Sequence, residues 1–379
     1  RVQLARLLGM TRAGISNTIN PLLERGVLKV TGTLSAEGRA GRPMELIEFA
    51  GSDIISVGIA VGHRLIRIAA VDFAGEIVAF DTFKNTLRLS HPDDLEVLGS
   101  IADQIFDFIE EHLPIGGSLA GVGLSSAGDA DASARAFLRT RMFADESQAN
   151  ALLDLLRSKL KTTVIVEHEA RAALRAEESM RTDLPPAASV LLIQRSLAFA
   201  IMLEGKVYEG PLRWARWLGR IRVRGDARER RREDELCYSA SAAALICKHK
   251  GVSYPSDDDI PACEFQEGWK DLVDAWEAGD PKVRAWVDTA FEDISTVVSN
   301  LCILFSFDLV VMHGWPDSME EHGRRIMENN LAKIPREPTT DRAIPLIVRA
   351  QLEDRQQAVG TALHVFDSIL REHQPMNLR

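Results

Sequence analysis

At 379 residues, 46% hydrophobic and 26% charged, the chain has ordinary globular composition and enough length for more than one core. Its longest apolar runs, Ser189–Ile193 and Leu309–Met312, are too short to span a bilayer, and no charged-then-apolar leader opens it. The net charge of −10 excludes a surface that attracts polyanions all over, yet residues 1–42 hold seven Arg/Lys against two acids, so that stretch is +5 and the rest −15.

A basic head on an acidic body implies that only the head meets phosphates. Val2–Leu8 reads as a short helix offering Leu4, Leu7 and Leu8 to a core, and Gly9 permits a tight turn. Thr11 is a good N-cap for the helix that follows, in which Ile15, Ile19, Leu22 and Leu23 form one apolar stripe. The opposite face presents Thr11, Arg12, Ala13, Ser16, Asn17 and Asn20, short polar groups and a guanidinium suited to base edges and phosphates. Pro21 predicts that this helix is bent or split. Two strand-like runs, Val27–Thr31 and Met44–Phe49, flank a glycine-rich loop whose Arg39 and Arg42 reach phosphate or minor groove. Helix, turn, helix and basic hairpin together predict a winged helix-turn-helix that binds double-stranded DNA. A small helical domain that binds protein is the competing reading. The helix that normally precedes such a pair is absent, and the chain opens at Arg1 rather than Met, so the natural N-terminus is expected upstream.

From Ile54 onward the pattern changes. Ile54–Ala60, Leu65–Asp72 and Glu76–Thr82 are strand-like; a helix over 92–112, a strand at Ala120–Leu124, a helix at Ala149–Lys161, a strand at Thr163–Val166 and a helix at Glu169–Arg181 follow. Ser189–Gln194 and Leu197–Leu203 form a strand pair that Lys206–Tyr208 extends. Helices at Ser239–Lys250 and Pro281–Phe305, strand Leu309–Met312, helix Ser318–Leu331, strand Leu346–Arg349 and helix Arg355–Leu370 complete the body. Three strands and then alternating elements, met twice, predict two α/β lobes around a cleft, the usual place for a ligand. The expected division is 1–50 for the head, 51–165 for the first lobe, and 166–379 for the second lobe with helical insertions and a C-terminal helix. Cys237, Cys247, Cys263 and Cys302 form no C-x-x-C pair and read as buried or reduced thiols, consistent with an expected cytoplasmic location.

Several segments resemble the ROK family of repressors, open reading frames and sugar kinases, over nearly the whole chain. Leu8-Gly9-Met10-Thr11 and Gly41-Arg42-Pro43 are similar to the repressor head, and Gly58–Asp72 to the first phosphate-loop hairpin. Ala127-Gly128-Asp129-Ala130-Asp131 resembles Pro-Gly-x-Val-Asp, and Val166-Glu167-His168-Glu169-Ala170 stands where Val-Glu-Asn-Asp-Ala is usual. Gly279-Asp280-Pro281 opens a matching late helix, and Val310-Val311-Met312-His313-Gly314 resembles the strand and glycine near the adenosine site. The resemblance implies an actin-like (ribonuclease H-like) sugar-kinase fold behind the winged helix-turn-helix.

The same resemblance shows what has changed. The family's Asp-x-Gly-Gly-Thr-Lys loop reads Ala60 to Leu65 here, without the carboxylate, hydroxyl or lysine, and His63 stands where backbone must approach phosphate. The second loop reads Arg195 to Ala200, small residues consistent with packing. The catalytic Asp position holds Glu169, which reads more simply as a solvent-facing or helix-capping carboxylate. The sugar- and zinc-binding Gly-Glu-x-Gly-His becomes Arg216-Trp217-Leu218-Gly219-Arg220, and an Arg-, Glu- and Asp-rich stretch replaces the zinc cysteines. No catalysis, cofactor or metal is therefore expected. The many arginines there read as a solvated charged loop or as a grip for an anionic sugar derivative. Glu167, His168, Glu169, Arg216, Trp217 and Arg220 are the candidate effector residues.

The leading expectation is a homodimeric transcription regulator, most simply a repressor of sugar-related genes, whose body senses without catalysing. An active sugar kinase with a regulatory head is the alternative, and a body used only for assembly is a third reading.

Overall fold

The computed structural model describes residues 2–7, 9–24, 28–34, 44–49, 53–87, 90–91, 94–131, 135–140, 142–181, 184–193, 197–208, 215–225, 231–254, 262–333, 345–351 and 353–372. In the head, helices α1 (Val2–Leu7) and α2 (Arg12–Glu24) precede an antiparallel pair, β1 (Leu28–Leu34) and β2 (Met44–Phe49). Gly9 takes φ +60 in the turn, and the Gly14 N–H donates to Thr11 Oγ1 at 3.1 Å, so Thr11 caps α2. The small core is Ala5, Ile15 and Ile19, with Leu23, Leu28 and Ile47 against it. Leu4 and Leu7, expected inside, are 38% and 81% exposed, because the short α1 turns Ala5 inward instead. Helix α2 is not split at Pro21; it runs on for three residues past the proline, to Glu24.

The first lobe is a five-stranded sheet in the order β5-β4-β3-β6-β9, from β3 (Ile54–Val61), β4 (Leu65–Asp72), β5 (Ile77–Lys84), β6 (Ser118–Ser126) and β9 (Thr163–His168). Strands β3, β6 and β9 are parallel, while β4 and β5 return antiparallel. Helices α3 (Leu95–His112) and α4 (Glu146–Leu160) supply apolar side chains to the core that the sheet's alternate residues build. Asp94 and Asp145 cap them by accepting N–H groups of the first turn. A hairpin not foreseen in the sequence, β7 (Gly128–Asp131) with β8 (Ala136–Thr140), leaves the end of β6.

Helix α5 (Glu169–Met180) leads into the second lobe. There β10 (Ala188–Ile193), β11 (Leu197–Leu203), β12 (Lys206–Val207), β13 (Leu309–His313) and β14 (Leu346–Arg349) form a mixed sheet in the order β12-β11-β10-β13-β14. The expected helix over 239–250 is two helices, α6 (Leu236–Ala240) and α7 (Ala242–Lys250): the Ser241 hydroxyl donates to Cys237 O at 2.7 Å and accepts from Ala244 N, ending one and capping the next. Helix α8 (Ala262–Glu277) is an addition to the sequence reading, whereas α9 (Pro281–Phe305) starts as Asp280-Pro281 predicts, with Asp280 accepting from the Lys282 and Val283 N–H groups. Helix α10 (Asp317–Leu331) follows β13. Cys237, Cys247 and Cys302 are buried free thiols.

The C-terminal helix α11 (Gln356–Glu372) corrects the expected division of the chain. It packs on β3, β4 and β6 of the first sheet, and β9 ends at His168, so neither 166–168 nor α11 belongs with the second lobe. Glycines make that docking possible. A Cβ on Gly58 would lie 2.0 Å from Ala358 O, and one on Gly123 2.9 Å from Thr361 O. Helix α11 also crosses α5 so closely that a Cβ on Gly360 would stand 1.6 Å from Ala172 O. Among the described residues no helix is long and apolar enough to cross a membrane.

Candidate functional site

Two places gather the residues singled out above. The first is the outer face of α2. Thr11, Arg12, Ala13, Asn17 and Asn20 are exposed there and Ser16 is half-buried, because Ile15 and Ile19 point to the head's core. Arg39 and Arg42 lie outside the described residues.

The second is the carboxyl end of the parallel strands of the first sheet, where loops meet in open α/β folds. Val61, Ser126 and His168 are register partners across β3, β6 and β9. Ser126 Oγ lies 3.2 Å from Thr140 Oγ1, which ties the β7–β8 hairpin to this edge. On the neighbouring β3–β4 turn, Gly62 N–H donates to Leu65 O, and Asn85 Nδ2 donates to both Gly62 O and Met142 O at 2.7 Å. The hairpin that resembles a phosphate loop is thus fastened to the lobe by a buried asparagine. Leu197 to Ala200 of the other loop are buried strand residues.

At the β9–α5 junction the three consecutive candidates have three different fates. Glu167 is 1% exposed. Its Oε1 accepts from Arg171 Nε at 2.6 Å and from the His168 N–H at 2.7 Å, and it also pairs with a terminal nitrogen of Arg171. Its Oε2 lies 3.5 Å from both Arg175 Nε and His364 Nε2. Burial opposes the charge, but Arg171, His364, Arg175 and the His168 N–H outweigh it and hold the carboxyl down at about 2. Glu167 therefore contacts α5 and α11 and has no surface left for an effector. His168 is the N-cap of α5, its Nδ1 accepting from Ala170 N at 3.2 Å. Glu169 is neither a solvent-facing nor a capping carboxylate. It is half-buried with protein packed around it, burial pushes its carboxyl up to about 7, and it makes no hydrogen bond or ion pair among the described residues.

Of the second-lobe candidates, the side chains of Arg216 and Trp217 lie outside the described residues. Arg220 ends a 3₁₀ turn, Ala215–Arg220, that packs on β11, as α5 also does. Its guanidinium donates to buried Glu235 at 2.8 Å. Arg222 pairs with Asp234 at 3.2 Å and Arg224 with Asp293 at 2.6 Å. Three arginines of this stretch thus have carboxylate partners: Asp234 and Glu235 are among the acids expected to neutralise it, whereas Asp293 comes from a distant helix that the local sequence does not indicate. Such a donor set does not fit a zinc ion, and no group of three or more His, Cys, Asp or Glu is placed to hold a metal among the described residues.

The ROK family profile matches residues 56–367. The chain belongs to the ROK family. This ROK protein is similar in fold to a ROK family transcriptional regulator, a homologue of the Escherichia coli MLC protein, at 16% identity and a TM-score of 0.71 over 97% of this chain and 91% of that one. It is also similar to the ROK hexokinase of Thermus thermophilus (18% identity, TM-score 0.63, 84% of this chain and 99% of that one). A ROK family protein of Streptococcus pneumoniae in complex with sucrose matches at 13% identity and a TM-score of 0.63, over the same shares of the two chains. By sequence it is 21% identical over 212 residues to an uncharacterised protein of Sinorhizobium fredii, 55% of this chain and 52% of that one. The chain spans about half the length of that curated relative. These neighbours establish the two-lobed α/β ROK fold.

Proposed function

We propose that this ROK protein is a sequence-specific DNA-binding transcription regulator, a homodimeric cytoplasmic repressor of sugar-related genes whose lobes bind an effector without catalysing. The head is read as a winged helix-turn-helix, with α2 entering the major groove and Arg39 and Arg42 on the wing. One observation carries the reading: α2 buries Ile15 and Ile19 while exposing Thr11, Arg12, Ala13, Asn17 and Asn20 on one face of a basic head. The coverage agrees, since the regulator's fold extends over 97% of the chain and the hexokinase's over 84%, a difference the size of the head. The effector region is the Glu169 junction, and a neutral sugar suits it better than an anion, because Arg220, Arg222 and Arg224 already hold carboxylates.

The test is selection of bound fragments from a genomic DNA library, followed by challenge of the complex with a panel of sugars, sugar acids and sugar phosphates. Recovery of a roughly palindromic sequence, released by a sugar, supports the proposal. Equal capture of unrelated fragments sinks it.

A sugar kinase with a regulatory head is the second reading, and one observation favours it. Glu169 occupies the position that resembles the family's base, and a carboxyl raised to about 7 suits proton transfer near neutrality. Against it stand His63 and Arg64 in the loop that would cradle phosphate. ATP consumption with common hexoses decides between them.

A further inference from the structure

The buried carboxylate of Glu167 has two unequal ends. Oε1 is saturated: it receives the His168 N–H, which fixes the backbone of the β9–α5 turn, and it receives Arg171 from the first turns of α5. Oε2 is fully buried and has no hydrogen-bond partner, although two nitrogens stand 3.5 Å away. One is Arg175 Nε of α5 and the other His364 Nε2 of α11. Arg175 in turn donates through a terminal nitrogen to Asp367 of α11 at 2.7 Å. A buried acceptor left just outside bonding distance is costly, and a small displacement of α11 along α5 would change both gaps. The contact beside it leaves little room for other motion, since Gly360 of α11 lies directly on the Ala172 carbonyl.

We infer that Glu167 is a positioning residue that couples the His168–Glu169 turn to the C-terminal helix, one end of its carboxylate fixing the turn and the other reading the place of His364 and Arg175. Its regulatory meaning rests on the proposed role of that turn in effector binding; the coupling itself does not. Helix α11 lies on the first sheet and α5 packs on β10 and β11 of the second. A change at the turn is thereby felt where the two lobes are joined.

Amide hydrogen exchange on the full chain, with no ligand added, tests this. Asp367 is 45% exposed at its side chain, so Asp367→Asn is tolerated by the fold while loosening Arg175. The expected result is about tenfold faster exchange over residues 167–170, the effect of weakening one charge-assisted hydrogen bond, with β6 and α3 unchanged. In a Glu167→Gln background the same substitution should add nothing to exchange in the turn. If Glu167→Gln does not fold, Arg175→Met, which has neither charge nor donor, removes the same link and serves as that background. Faster exchange confined to α11, or an equal increment in both backgrounds, overturns the coupling. The exchange rates can be read even from a chain that binds neither DNA nor sugar, so failure of the proposed function is seen separately.

Discussion

The crossing of α5 and α11 gives a prediction whose sign, not only its size, is set by the structure. Replacing a helix-interior glycine with alanine ordinarily stabilises by about 1 kcal/mol, through helix propensity and a less flexible unfolded chain. At Gly360 the added Cβ would stand 1.6 Å from Ala172 O, 2.5 Å from Ala172 C and 3.0 Å from Ala176 N. All three are backbone atoms in a helix and none can swing aside. An ordinary contact needs roughly twice the first distance, so the two helices must part by nearly 2 Å, which places Gly360→Ala at the upper end of the ~1–3 kcal/mol cost of overpacking. After the propensity gain is subtracted, a net loss of about 2 kcal/mol is expected. Gly99 in α3 is the control, because a Cβ there meets nothing within 4 Å, and Gly99→Ala should stabilise. Urea unfolding followed by circular dichroism reads both midpoints. If Gly360→Ala moves its midpoint upward as Gly99→Ala does, the two helices do not cross at the described distance and the account of the joint is wrong.

The two junction carboxylates give opposite pH dependences. Glu167, held at about 2 against its ordinary 4.5, contributes stability that is complete above pH 4.5 and is lost as the pH falls toward 2. Glu169, raised to about 7, contributes stability present below 4.5 and lost as the pH rises through 7, so Glu169→Gln should be more stable than the parent near pH 8 and no more stable near pH 4 in urea titrations. Equal differences at both pH values would contradict the burial of Glu169. Asn85→Ala leaves Gly62 O and Met142 O without their donor and should cost about 2 kcal/mol; an unchanged thermal midpoint would refute the fastening of the β3–β4 turn. Arg12→Ala, measured as operator affinity against salt concentration, should weaken binding and lower the magnitude of the salt slope by about one if its guanidinium meets a phosphate. An unaltered slope assigns Arg12 to some other task.

Local signals carried much of this fold. The strand-like run Ile54–Ala60, the capping pair Asp280-Pro281 and the Thr11 cap each depend on neighbours within a turn or two, and each element lies where its pattern places it. Features set by distant partners were not legible. The stripe Ala358, Gly360 and Ala362 says that something packs closely on α11, but nothing in it says that the partner is Gly58, three hundred residues earlier. Glycines inside the strand runs, Gly58, Gly121 and Gly123, were the available sign of a close backbone approach. The same limit applies at the junction. Glu167, His168 and Glu169 are adjacent and polar in the sequence, yet the strand end and helix start send one into a buried ionic cluster, one onto a backbone amide, and leave one half-enclosed without a counter-charge among the described residues.

The return of α11 to the first sheet has a consequence for how the molecule is made. Ala60, Ala69 and Val71 of the early strands are covered by Ala358, Val359 and Ala362, which leave the ribosome only after the whole second lobe has been synthesised. The first lobe accordingly has one apolar face that its own covering helix cannot reach through the translation of nearly three hundred further residues, a pairing of high contact order. Chains that end before residue 356 should for that reason be strong clients of holding chaperones, and released chains that carry α11 weak ones.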